Sequence, residues 1–212
     1  MKYKAVLFDL LTGLLDSWTV WNRVAGGEAA GRKWRAAYLE LTYGCGEYRP
    51  YETLVAEAAR HTGLTDAVAS DLAREWASIE PWDEAPAILR RLSETHRLGI
   101  VTNCSERLGR AAAAKLGVPF DVIVTSERAG FYKPRPEPYR LALSELKLDP
   151  EEVLFVAGSG FDLIGTGKVG LDTYWHNRVG LQRPPAAPPP LRESRSLEGL
   201  GDLVIVGQTA KG

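Results

Sequence analysis

Lys4 to Asp16 reads KAVLFDLLTGLLD, and this stretch decides the fold. Ala5, Val6, Leu7 and Phe8 form an unbroken apolar run, the pattern of a short strand buried on both faces inside a parallel sheet. The run stops at Asp9. An ionised carboxylate at the end of a buried strand is costly unless nearby groups favour it. The carboxyl edge of an open α/β sheet is also where ligands bind. Asp9 is therefore the first candidate functional residue; its plain structural alternative is to cap the turn that follows.

Outward from Gly13 the pattern turns helical. Helices are predicted over Ser17–Ala25, Glu28–Tyr43, Pro50 to about His61, and Asp66–Trp76, with Trp34, Tyr38 and Leu41 at helical spacing. No strand pattern occurs between Asp16 and Trp82. From Asp83 the rhythm is helix and strand in alternation: Glu84–Glu94 helical, Leu98–Thr102 extended, a helix capped by Ser105 and reaching Leu116, and a short strand at Val122–Val124. Then come a helix at Glu137–Leu146, a strand at Val153–Val156, a helix at Phe161–Lys168 and a strand at Leu171–Trp175. The Pro184–Pro190 run is too stiff for either element and reads as a surface loop. A last strand near Arg192–Arg195 and a helix from Leu197 close the chain. This order predicts an α/β fold, a parallel sheet with right-handed crossovers. A helical cap subdomain, residues 15–83, is expected as an insert in a core made of 1–14 and 84–212.

Composition narrows the function classes. The 212 residues carry a net charge of -1, with no basic footprint for nucleic acid. No apolar run approaches the ~20 residues that span a bilayer, so no membrane partner is expected. The N-terminal stretch is a strand without a signal-peptide pattern, which makes a cytoplasmic location the expectation. Cys45 and Cys104 lack metal-site spacing and read as small buried hydrophobes.

Four predicted strand ends carry chemistry: Asp9; Thr102 with Asn103; Lys133, in the loop YKPRPEPY; and Ser159 with Asp162. Parallel strands place all four ends on one edge. A lysine close to two carboxylates keeps them ionised and acceptor-only, as a carboxylate nucleophile requires. Each residue has a duller role open to it. Thr102 and Asn103 could cap a helix, Lys133 could be a solvated charge, and Asp162 could favour a helix start.

The set FDLLTG, VTNCSE, YKPRPEPY and FVAGSGFD resembles the four motifs of the haloacid dehalogenase-like hydrolases. WRAAYLE, the spacing YKPxxxxY and WHNRVG are similar to the L-2-haloacid dehalogenases within that superfamily. The resemblance implies a Rossmann-like core under a helical cap and a small carboxylic acid as substrate. It makes Asp9 the nucleophile that displaces halide to form an ester, which water then hydrolyses. It makes Arg35 the receiver of the halide, assisted by Asn103, and Lys133 the partner of Asp9. Asp162 pairs with that lysine and helps orient water. Thr102 is the implied donor to the substrate carboxylate. Leu11, Leu39 and Phe161 are the implied apolar lining, with Tyr139 supporting the site and Ser159 at a water-contacting position. Proteins of this kind are commonly homodimers, and a dimer is the expectation here.

The physics agrees. Displaced halide needs an anion acceptor rather than a proton donor, and a guanidinium in a dry pocket supplies one. For Arg35 the competing role is a surface charge snorkelling past Trp34. Phosphatases of the superfamily carry a second aspartate two residues after the nucleophile as general acid. Here Leu11 stands there, and Gly158 replaces one of the acids that would hold Mg²⁺, so no metal and no cofactor are expected. Three departures from the dehalogenase pattern remain: Thr12-Gly13 reverses a Gly-Thr pair, Ala157 stands for Ser, and Ser159 stands for Asn. Other readings are a phosphatase, a hydrolase of another carbon–heteroatom bond α to a carboxylate, and a non-catalytic binding domain. A serine hydrolase built from Ser159, Asp172 and His176 is disfavoured, because Ala157 and Phe161 break the nucleophile elbow.

Overall fold

The computed structural model describes residues 2–204. A six-stranded sheet runs in the order β3-β2-β1-β4-β5-β6, every neighbouring pair parallel. The strands are β1 Ala5–Phe8, β2 Arg97–Thr102, β3 Val122–Thr125, β4 Val153–Ala157, β5 Asp172–His176 and β6 Arg192–Ser194. The helices are α1 Ser17–Val24, α2 Glu28–Gly44, α3 Tyr51–His61, α4 Asp66–Arg74, α5 Ala85–Ser93, α6 Glu106–Ala114, α7 Ser126–Ala129, α8 Pro136–Leu146, α9 Asp162–Val169 and α10 Leu200–Val204. Residues beyond Val204, where the last predicted helix would continue, lie outside the described residues.

The apolar run forms the centre of the sheet because both of its faces are covered. Val6 and Phe8 point into one cluster with Leu98, Ile100 and Val156, while Ala5 and Leu7 point into another with Val101, Val124 and Phe155. All four β1 side chains are fully buried. Each of the larger ones contributes about 1.5–3 kcal/mol by leaving water.

The chain leaves β1 for β2 on one side and reaches β4 on the other side only after β3. Connections therefore diverge at the carboxyl ends of β1 and β4, the crevice where open α/β sheets bind ligands. Asp9 and Asp162 both sit there. Register brings Phe8 level with Ile100 and Val156, so Asp9, Asn103 and Gly158, which follow β1, β2 and β4, emerge within two residues of one another along the strand direction.

Between β1 and β2 the regular elements are all helices, with isolated bridges only where Leu15 pairs with Pro81 and Glu47 with Phe131. A continuous chain of tilted and edge-on aromatic contacts joins those helices: Trp21 to Trp34 at 4.5 Å, Trp21 to Tyr38 at 5.6 Å, Tyr38 to Tyr51 at 5.4 Å and Tyr51 to Trp76 at 5.8 Å between ring centroids. These rings are buried within the chain rather than offered as an outer face.

Several local expectations change. The helix predicted to reach Trp76 ends at Arg74 and tightens into a 3₁₀ turn, Glu75–Ser78, which aims the Trp76 indole at the Leu108 carbonyl (3.0 Å). Ser105 stands at the start of α6, but its hydroxyl donates to Glu52 (3.0 Å) instead of capping; Glu127 accepts from the Glu106 amide (2.6 Å). Cys104 is buried, whereas Cys45 is half-buried. Among the described residues no helix is long and apolar enough to cross a membrane.

Candidate active site

Asp9 is 6% exposed, and both of its oxygens are engaged. Oδ2 accepts three hydrogen bonds, from the Thr12 amide (3.0 Å), the Thr12 hydroxyl (2.6 Å) and the Gly13 amide (2.9 Å). Oδ1 accepts one, from Lys133 Nζ (2.8 Å). The turn after β1 thus folds back on the carboxylate that ends the strand. Burial pushes the Asp9 carboxyl up, but the Lys133 ammonium and the Thr12 donors more than offset it and leave it below the ordinary aspartate value.

Lys133 is shared. Its Nζ lies 2.8 Å from Asp9 Oδ1 and 2.9 Å from Asp162 Oδ1, with all three side chains nearly sealed from solvent. Burial disfavours the ammonium, and the two carboxylates outweigh burial, so its pKa is raised. Asp162 titrates the other way: burial and Asp9 lift it above its usual value despite Lys133. The Tyr139 hydroxyl donates to Asp162 Oδ1 (2.8 Å), which leaves Oδ2 buried without a partner. Gly165 makes that contact sterically feasible, since a Cβ there would stand 2.7 Å from the Tyr139 hydroxyl oxygen.

Arg35 reaches the same cavity from α2. It is 8% exposed, stacks on Trp18 at 4.3 Å and Trp21 at 5.3 Å, and donates to the Ser17 hydroxyl (3.0 Å). That hydroxyl in turn donates to the Leu11 carbonyl, which couples the helical segment to the turn after Asp9. Among the described residues no carboxylate lies within ion-pairing distance of the Arg35 guanidinium. Burial pulls its pKa down, which marks a cation short of compensating charge.

The cavity between these groups has a volume of about 270 Å³. Asp9, Leu11, Arg35, Leu39, Thr102, Asn103, Lys133, Ser159, Phe161 and Asp162 all line it. Thr102 presents a buried hydroxyl with no partner. Asn103 is largely committed: its Oδ1 accepts from the Lys133 amide (2.7 Å) and its Nδ2 donates to the Lys133 carbonyl (3.0 Å). Tyr139, expected to support the site, does so from behind Asp162; it is fully buried, does not line the cavity and so does not reach a substrate there. The Ser159–Asp172–His176 set does not assemble. Asp172 accepts from Tyr3 (2.8 Å) at the start of β5, and His176 Nδ1 donates to the Gly13 carbonyl (2.8 Å).

Known proteins match the chain over most of its length. Residues 3–167 fit the family model of the haloacid dehalogenase-like hydrolases. The chain belongs to that family. Its relatives include (S)-2-haloacid dehalogenase H-109 of Pseudomonas putida, 27% identical over 95% of this chain and 98% of that protein. The (S)-2-haloacid dehalogenase of Pseudomonas sp. strain YL is 30% identical over 84% of each chain. A crystal structure of an L-2-haloacid dehalogenase superposes with a TM-score of 0.86 at 25% identity, covering 96% of this chain and 99% of that one.

The donor set here does not fit the magnesium ion expected of the superfamily's phosphatases. The two carboxylates at the switch point are both tied to Lys133, and Leu11 and Gly158 bring no oxygen side chain. Among the described residues no group of three or more His, Cys, Asp or Glu is placed to hold a metal.

Sequence reasoning missed three site features. Trp18 and Ser17 flank the Arg35 guanidinium, and Tyr43 joins the cavity wall. Tyr43 was legible in principle, because it follows Arg35, Leu39 and Ala36 on one helical stripe. The third concerns Thr12-Gly13. The reversed order keeps a hydroxyl on the carboxylate, and it does so with Gly158: a Cβ at that position would stand 2.3 Å from Thr12 Oγ1 and 2.3 Å from the Gly13 nitrogen. The missing side chain after β4 is the space that Thr12 occupies.

Proposed function

We propose that this chain hydrolyses the carbon–halogen bond of small (S)-2-haloalkanoic acids, with Asp9 as nucleophile. The observation that carries the reading is Arg35: a buried cation, free of any carboxylate partner among the described residues, in the same cavity as a doubly anchored aspartate. In this reading residues 15–83 act as a cap over the core of 1–14 and 84–212.

Oδ1 of Asp9, with one hydrogen bond against three on Oδ2, attacks C2 of the substrate. The carbon–halogen bond breaks and halide departs toward Arg35, which stabilises negative charge without giving up a proton. Thr102 donates to the substrate carboxylate. The ester that results has Oδ2 as its carbonyl oxygen. Water then attacks Cγ, and the charge that develops on Oδ2 falls on the Thr12 and Gly13 amides and the Thr12 hydroxyl. Asp162 Oδ2, buried and unpartnered, takes the proton from water. The Cγ–Oδ1 bond breaks and Oδ1, departing as the hydroxyl oxygen of the hydroxy acid, takes a proton from Lys133, which recovers it from Asp162. The second proton of the water, left on the regenerated Asp9 carboxyl, is released to solvent.

Turnover of (S)-2-chloropropionate in H₂¹⁸O tests this. Label is expected in the Asp9 carboxylate, with halide release lost by about 10⁴-fold or more in Asp9→Asn. Label that enters the product while Asp9 stays unlabelled after many turnovers would overturn the covalent route. Magnesium-dependent release of phosphate from a phosphomonoester would favour the phosphatase reading instead.

A further inference from the structure

The cavity is larger than a three-carbon haloacid needs. Six heavy atoms, each taking no more than the ~30 Å³ of one liquid water, fill at most about 180 Å³. The cavity holds about 270 Å³. The surplus of about 90 Å³ equals on the order of three methylene groups by the same measure.

The surplus space has a direction. Ala36, Leu39 and Tyr43 follow Arg35 along one stripe of α2 and all line the cavity. At ~1.5 Å per residue the backbone of that stripe runs about 12 Å from Arg35 to Tyr43. The wall facing it comes from the core: Leu11, Phe161 and Leu181. Tyr43 and Phe161 meet at 4.7 Å between ring centroids and bind the two walls together. Leu181 lies on a loop, yet it is fixed, because the buried Asn177 side chain accepts from its amide (2.7 Å) and donates to its carbonyl (2.9 Å). The channel is thus mainly aliphatic and aromatic on both sides; away from the Asp9 end its polar lining is the exposed Arg32, paired with Glu28, and the exposed Gln182.

We propose that this channel receives an alkyl tail, so that the substrates favoured by this chain are linear 2-haloalkanoates with side chains of up to about four carbons, such as a 2-halohexanoate. The inference rests on the dehalogenase reading above and extends it to chain length. Nothing polar along Ala36, Leu39, Phe161 and Leu181 would reward a hydroxylated or charged tail.

The test compares halide release from (S)-2-bromohexanoate and (S)-2-bromopropionate by the full chain. Each buried methylene is worth up to about a fourfold gain. The hexanoate is therefore expected to show a kcat/KM at least equal to that of the propionate, and up to roughly 50-fold above it. Leu181→Trp, which fills the channel, is expected to lower the hexanoate-to-propionate ratio by at least tenfold. Ala36→Phe, on the exposed side of the same channel, should act in the same direction if the loop variant fails to fold. Ready turnover of the propionate with a wild-type hexanoate-to-propionate ratio of kcat/KM below unity overturns the chain-length inference and leaves the dehalogenase reading standing. A ratio unmoved by both variants also overturns it. If neither acid releases bromide, the dehalogenase reading itself falls.

Discussion

The floor and the roof of the cavity handle charge in opposite ways. On the floor, at the carboxyl ends of the strands, Asp9, Lys133 and Asp162 form a closed set in which the lysine serves both carboxylates. In the roof, Arg35 is equally buried but answers to two indole faces and one hydroxyl. A satisfied ion set is part of what holds a protein together, because removing one member strands the others. A buried cation without a counter-charge stabilises nothing by itself and stands ready for an anion. On the proposed reading the floor is stable with its nucleophile in place, and the roof is completed only by the departing halide.

This contrast is sharpest in a pair of substitutions. Lys133→Met leaves two buried carboxylates uncompensated and is expected to cost about 3–5 kcal/mol, roughly 10 °C in Tm, along with most activity. Arg35→Met is expected to lower kcat by about 10²–10³-fold, the usual loss when a charge-stabilising group is removed. Its Tm should shift by no more than about 3 °C, since lost indole contacts are offset by relief of a desolvated cation. Thermal melts and halide-release kinetics on both variants decide the matter. A melt of Arg35→Met as depressed as that of Lys133→Met would erase the distinction.

A smaller effect probes the floor alone. Thr12→Val removes one of three donors to Asp9 Oδ2 and keeps both amides. Ester hydrolysis should slow by roughly 10–100-fold, with the alkylation step affected less. A burst of halide followed by a slow steady state is the expected signature. Equal slowing of both phases would remove the reason for assigning the ester carbonyl to Oδ2.

How much of this was legible in the sequence follows from the same contrast. The floor could be read, because a buried strand ends where its apolar run ends and parallel strands deliver their ends to one edge. Asp9, Lys133 and Asp162 were named on that basis, and they converge within hydrogen-bonding distance. The roof could not be read the same way. A helix surface offers Arg35 to solvent or to a neighbour with equal ease, and only a family motif singled it out. Ser17 and Trp18 escaped notice because their partners come from a second helix, and helical periodicity carries no information on which helix will lie opposite. Thr12 with Gly158 was visible only as two unrelated departures. Their compensation is steric and exists across a gap of about 146 positions that nothing local connects.

The floor's coupled charges also set a pH dependence. Asp9 titrates below its ordinary value, so the stability it contributes is present above the unfolded aspartate pKa of ~3.9 and is lost as pH falls through the lower folded value. Lys133 titrates above its own, so its contribution is present below ~10.4 and is lost only as pH rises through the higher folded value. Neither changes protonation between about pH 5 and 10. Asp162 is lifted and protonates first on acidification, which removes the base for water. On acidification ester hydrolysis should therefore fall before alkylation does. Mass spectrometry of enzyme quenched during turnover should then find a growing fraction of Asp9 adduct as pH is lowered from neutral while the chain stays folded. A constant adduct fraction would separate Asp162 from the hydrolytic step.

The smallest effect belongs to the roof. If Arg35 awaits an anion, bromide should bind the folded chain in the absence of substrate. A ligand that binds only the folded state at ten times its Kd adds about 1.4 kcal/mol, or a few degrees in Tm for a chain of this size. The rise should saturate with bromide, unlike the gradual drift that ionic strength produces on exposed pairs. It should vanish in Arg35→Met. In Thr12→Val, where the roof is untouched, it should persist. A bromide response that survives the loss of Arg35 would place the anion on the floor instead, beside Lys133, and the division of labour between the two halves of the cavity would have to be redrawn.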